Sequence, residues 1–216
     1  MAKIAVFGAS GFAGGHITEE ALRRGHRVTA VARDVSRIVV DHEAADVRPG
    51  SIHDAELVND VAADVDLMVV AVPAREIDGR KLLDSVPGVT AVAAHHRTRL
   101  AFVGGAASLK VSDDGPRLLD TPDFPEEFKP EATNHVAVLE RLQEDKSGVD
   151  WFYLSPAAQF GAAAGVEPAG SYRLGADVLV TDENGGSKIS GQDYARALVD
   201  EIESPAHSRT RFTAAH

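Results

Sequence analysis

Apolar positions along the chain fall into two alternating patterns. Lys3 to Phe7 (KIAVF) is a short, almost continuous apolar run of the kind buried on both faces of a sheet. After a glycine-rich stretch, Ile17, Ala21 and Leu22 recur at helical spacing until Gly25 stops the helix, and Arg27 to Ala32 (RVTAVA) reads as a second strand. That is one βαβ unit. A short strand near Val47 follows, then a helix capped by Asp54, then Val65 to Val72 (VDLMVVAV), closed by Pro73. Lys81 to His96 has helical periodicity with an interruption at Pro87-Gly88, and Arg99 to Val103 (RLAFV) is another core strand. The proline-rich, acidic span Asp113 to Lys129 reads as an ordered loop over the sheet. Glu131 to Lys146 is a helix and Asp150 to Leu154 (DWFYL) a sixth strand. Beyond Ser155 the pattern predicts a loop, a hairpin between Tyr172 and Ile189, and a last helix opened by a capping-box-like Ser190 and Asp193. It ends near Ser204, and a final strand is placed at Arg209 to Thr213.

Strands alternating with helices predict an α/β fold with a doubly wound parallel sheet, the Rossmann arrangement. Without repeats or linkers, residues 1–216 read as one Rossmann-fold domain, with a small substrate-side segment at about 155–190. In such sheets ligands bind at the carboxyl ends of strands near the switch point, where Ala5-Val6-Phe7-Gly8-Ala9-Ser10-Gly11-Phe12-Ala13-Gly14-Gly15-His16 lies. Glycines at 8, 11 and 14 suit a tight turn, a close backbone approach to a pyrophosphate, and close helix–strand packing, with the helix N-terminus aimed at the phosphates. Ser10, Phe12 and Ala13 belong to the same cofactor-binding turn. Two other motifs fail here. A G-x-S-x-G elbow would need glycine where Phe12 stands, and a Walker A loop would need Lys where His16 follows Gly14-Gly15.

Charge sharpens this reading. The chain carries a formal −11, which argues against nucleic acid as the main partner. Through Arg37, however, six basic residues face three acidic ones, so that segment carries +3 and the remainder −14. The glycine turn sits in the basic part, as a small phosphate-bearing ligand requires. At the end of the second strand Arg33 is suited to the 2′-phosphate of NADP, and Ser10 to the same phosphate. Asp34, one residue on, is the alternative partner for the ribose of NAD. NADP(H) is therefore the preferred cofactor and NAD(H) the second option. The next strand end, Ala71-Val72-Pro73, flanks the riboses by its place in the sheet. No apolar run reaches the length of a membrane span and no secretory signal is read, so the expected setting is cytoplasmic. There are no cysteines, and no Asp, Glu and His cluster has metal-ligand spacing, so no metal is assigned.

The spacing Gly8, Gly11, Gly14 resembles the G-x-x-G-x-x-G of extended and atypical short-chain dehydrogenase/reductases. Phe102 to Leu109 (FVGGAASL), Leu119 to Phe124 (LDTPDF), Trp151 to Ala157 (WFYLSPA), Tyr172 to Gly175 (YRLG) and Ile189 to Thr213 resemble one branch, the NmrA-like proteins described as NADH-flavin reductases. The resemblance implies a reductase. It also implies that Ser108 lies in the region of the family's active-site serine and Ser155-Pro156 beside the nicotinamide carboxamide. The Tyr-x-x-x-Lys dyad of the wider superfamily is absent: Ala157, Ala176 and Leu198 stand four residues beyond Tyr153, Tyr172 and Tyr194, and Phe128 with Ala132 occupies the dyad's expected place. His135, on the same helix, is the outside candidate for a proton donor. Hydride transfer to an acceptor that stabilises its own charge, a flavin or quinone, needs no protein acid. The alternative is a non-catalytic, NAD(P)-binding redox sensor acting through a protein partner, as some NmrA-like proteins do. Oligomeric state is open.

Overall fold

The computed structural model describes all 216 residues. Eight strands form one sheet in the order β3-β2-β1-β4-β5-β6-β8-β7. They are β1 (Lys3–Phe7), β2 (Arg27–Ala32), β3 (Ala45–Pro49), β4 (Leu67–Val70), β5 (Arg99–Val103), β6 (Trp151–Ser155), β7 (Arg173–Gly175) and β8 (Thr210–Ala215). All neighbours are parallel except β7 on β8. The helices are α1 (Phe12–Arg23), α2 (Ala55–Asp64), α3 (Leu82–His96), α4 (Lys129–Gln143) and α5 (Gly191–Glu203).

Successive side chains of a strand point to opposite faces, and this divides the core in two. Ile4 and Val6 pack with Ile17, Ala21 and Leu22 of α1 and with Ala195, Leu198 and Val199 of α5. Ala5 and Phe7 pack on the other face with Val58 of α2, Val86 and Val89 of α3, and Leu139 of α4. The chain reverses direction across the sheet between β1 and β4, so the crevice at their carboxyl ends is the switch point.

Several caps are as the pattern predicts. The Asp54 carboxylate accepts from the N–H groups of Glu56 and Leu57, and Ser190 Oγ accepts from Asp193 N. Two readings need correction. First, α3 runs unbroken through Pro87. Val86 and Val89 are buried against the sheet, and their packing outweighs the roughly 3 kcal/mol that an interior proline costs. Second, Tyr172 to Ile189 is not a hairpin. The turn forms, with Asp182 accepting from Asn184 N and Gly186 N, but its arms pair elsewhere. β7 pairs with β8, Asp177 and Leu179 bond to Lys110, and Ser187 and Ile189 bond to Gln159. The open edge of β8 and two polar loops supply better partners than the arms offer each other. The helix expected at Glu131 starts two residues earlier, with Pro130 in its first turn where no N–H is needed.

Candidate functional site

The three spaced glycines do three different jobs. Gly8 takes φ of +89°, and a Cβ there would lie 2.3 Å from the carbonyl oxygen of Ala71, so glycine lets the exits of β1 and β4 touch. A Cβ on Gly14 would lie 2.2 Å from the Gly8 carbonyl oxygen, so this glycine lets α1 pack onto the turn. At Gly11 the backbone is extended (φ −87°, ψ 172°) and the nearest atom to a Cβ is 3.2 Å away. That one contact with the Gly8 carbonyl is tight, but no other part of the chain crowds Gly11, which lines a cavity. Gly11 also caps α1 without any side-chain acceptor, and no acidic residue stands in the first turn. The helix presents free N–H groups and its positive end to that space.

A cavity of about 330 Å³ opens there, lined by Gly8, Ser10, Gly11, Arg33, Ala71, Val72 and Pro73. The turn, the end of β2 and the end of β4 thus meet as the sequence suggests. Phe12, Ala13 and Gly14 do not line it. Phe12 instead sets its ring edge-on to His16 and Phe160. The sequence reading assigned no role here to Arg37, Arg75 and Arg80, which join Arg33 on the walls. Arg75 and Arg80 follow Pro73 closely, and two arginines just past a strand end in an acidic chain were the available signal. Arg33 donates to Asp78 at 2.7 Å and Arg75 to Glu131 at 2.9 Å, whereas Arg37 and Arg80 have no acidic partner. His53, on the same wall, is pushed below its ordinary value by burial and then by the Arg80 charge, so it stays neutral and bonds to Ser85 Oγ. Asp34 is turned to another task. Its carboxylate accepts from Ser36 N and Ser36 Oγ, bonds that hold its pKa below the usual range.

A second cavity, of about 470 Å³, lies beyond β4 at the ends of β5 and β6. Gly104, Gly105, Phe124, Phe128, Ala132, His135, Pro156 and Phe160 line it, making an apolar cleft with aromatic walls. Ser155 is fully buried, and its Oγ has no hydrogen-bond partner. Ser108 lines neither cavity; its Oγ accepts from Arg211 at 3.1 Å. The structure brings His135 and Pro156 together at the cleft and leaves Ser108 outside it.

All three tyrosine hydroxyls are engaged within the chain. The Tyr153 ring lies under Gly104, where a Cβ would come within 2.1 Å of it. Its phenol accepts from Gly105 N at 3.1 Å and donates to the His135 carbonyl at 3.2 Å. Burial pushes its pKa far up, as it does for Tyr194, whose hydroxyl donates to the Leu154 carbonyl. Tyr172 is pushed up too, and it donates to Asp200. Burial pulls His135 down to about 4, leaving a neutral imidazole at pH 7.

Residues 8–205 match the NAD(P)H-binding family. The chain belongs to that family. The flank of Gly11, the uncapped end of α1 and the cationic walls suit a dinucleotide of the kind this family binds. The same comparisons find the uncharacterized protein YwnB of Bacillus subtilis, 40% identical over 223 residues, which cover 98% of this chain and 97% of that protein. Among solved structures, a putative NADH-flavin reductase from Streptococcus pneumoniae is 36% identical, with a TM-score of 0.85 over all of both chains. A putative epimerase from Bacteroides thetaiotaomicron is 33% identical, with a TM-score of 0.87 over 99% of this chain and 96% of that one. No helix of this NAD(P)H-binding protein is long and apolar enough to cross a membrane.

Proposed function

We propose that the protein is an NADP(H)-preferring oxidoreductase that passes hydride to a flavin- or quinone-like acceptor. The observation that carries this reading is the aromatic cleft beside the glycine turn, which has room for a planar ring and no tyrosine able to give up a proton. A nicotinamide cofactor would supply the hydride when bound. The chain's own part is to hold and orient. Turn N–H groups and the α1 terminus bind the pyrophosphate, Arg33 binds the 2′-phosphate, and Ala71 to Pro73 flank the riboses. Pro156, at the cleft, faces the carboxamide end, with the buried Ser155 behind it. Phe128 and Phe160 stack the acceptor, and neutral His135 bonds to its polar edge. An acceptor that spreads its own negative charge takes its proton from solvent, so positioning provides most of the rate. The family resemblance and the pneumococcal relative's name support the same class.

Anaerobic oxidation of NADPH against FMN, FAD and quinones tests the reading. Rates well above those without protein are expected for at least one acceptor. Tight cofactor binding with no acceleration for any of them would overturn it in favour of a redox sensor. A companion prediction concerns Tyr153. Tyr153→Phe loses the buried hydrogen bonds to Gly105 N and to the His135 carbonyl, and should lower kcat by far less than the roughly 10² to 10⁴-fold typical of a lost general acid. Collapse of turnover in a folded, cofactor-binding Tyr153→Phe variant would show that this phenol is the acid.

A further inference from the structure

None of the side chains lining the arginine-walled cavity is acidic, yet a carboxylate from outside that lining pairs with the arginine at the end of β2. Asp78 Oδ2 accepts from Arg33 Nη1 at 2.7 Å. It is carried by the segment between β4 and α3, and that segment is shaped to present it. Ile77 and Arg80 exchange backbone hydrogen bonds of 2.9 and 3.1 Å, and Asp78 between them takes a left-handed φ of 53°. Aspartate tolerates that conformation better than most residues. Both partners are largely exposed, with side chains at 60% and 83%, so the pair adds little to stability. A contact that does little for the fold but occupies the one guanidinium at the end of β2 calls for another explanation.

We propose that Asp78 is a specificity-determining residue, an internal anion that occupies the 2′-phosphate position on Arg33 and is displaced by NADP(H) but not by NAD(H). The proposal rests on the assignment of Arg33 to that phosphate. A phosphate monoester carries close to two negative charges at pH 7 and three acceptor oxygens, against one charge and two oxygens on the carboxylate, so it wins the guanidinium. Arg37 and Arg80, which have no acid of their own, add to its advantage. A cofactor with a free 2′-hydroxyl has nothing to exchange and binds with the Arg33–Asp78 pair intact. Asp78 thus lowers the affinity for NADPH alone and sets how far the two cofactors are separated.

Fluorescence titration of NADPH and NADH into wild type, Asp78→Asn, Arg33→Ala and the double variant tests this. Asparagine keeps the left-handed backbone and removes the charge, so an unchanged melting temperature is expected. Asp78→Asn should bind NADPH about threefold to tenfold more tightly and NADH within about twofold of wild type. The gain should shrink at high salt and vanish in the Arg33→Ala background. No gain, an equal gain for both cofactors, or a gain that survives loss of Arg33 would overturn the proposal. The parent assignment fails separately. If Arg33→Ala weakens both cofactors equally, Arg33 does not hold the phosphate, whatever Asp78 does.

Discussion

Gly11→Val should reduce the affinity for NADPH and NADH by more than about a hundredfold while the protein still folds. The extended backbone at Gly11 suits valine, and a Cβ there stands 3.2 Å from the Gly8 carbonyl oxygen, so the turn has to give by only a few tenths of an ångström, against the full clash at Gly14. Replacing a helix-capping glycine costs about 1 kcal/mol, or about 2–4 °C in a chain of this size. The branched side chain instead fills the space beside the free N–H groups of α1, where a pyrophosphate would accept several charge-assisted bonds worth about 1.5–3 kcal/mol each. Losing two of them gives the stated factor. Gly14→Val is the contrast. Its Cβ would meet the Gly8 carbonyl at 2.2 Å, so the turn itself must open and the melting temperature should fall along with binding. Calorimetric melts and cofactor titrations on the two variants separate the cases. A Gly11→Val protein with wild-type affinity would remove the glycine turn from the cofactor site.

Arg33→Ala should weaken NADPH about tenfold to a hundredfold and leave NADH nearly untouched. A guanidinium on a phosphate makes bonds worth about 1.5–3 kcal/mol, and NADH has no phosphate at that position. Stability should not move, because the exposed pair with Asp78 is worth at most about 1 kcal/mol. Arg33→Lys should restore only part of the affinity, since a point charge cannot reproduce the fork. The rival for this end of the cofactor is Asp34, whose carboxylate is already engaged by Ser36. A wild type that prefers NADH would show that Asp34 leaves that turn for the ribose. Equal losses of NADH and NADPH in Arg33→Ala would make the arginine structural.

The parts that could be read from the chain are those carried by local signals. Lys3 to Phe7, Gly8 to Gly14 and Arg27 to Ala32 lie within one strand–turn–helix–strand unit, where burial, turn chemistry and helix start are all near neighbours in sequence. Asp54 and Ser190 reach their partners within three residues, so their caps were visible as well. The hairpin expected before Ile189 went wrong at the opposite extreme. Its turn is local and forms, but the choice of partner strand was a competition among segments distant in sequence, which β8, Lys110 and Gln159 won. Ser108 lines neither cavity, and its hydroxyl is met instead by Arg211, 103 residues away, a contact that no local signal announces.

Periodicity and glycine spacing by themselves determined the doubly wound sheet and the glycine turn at its switch point, because a strand's burial and a turn's backbone demands are written in adjacent residues. Only the tertiary structure decided which charges and rings share a cavity. Arg33 at the end of β2 meets Arg75, Asp78 and Arg80 because β2 and β4 flank β1, and Phe128, His135, Pro156 and Phe160 meet because β5 and β6 end side by side. Electrostatic and packing energies depend on distance through space, and a chain that crosses over between strands brings together residues that nothing in their sequence neighbourhood relates.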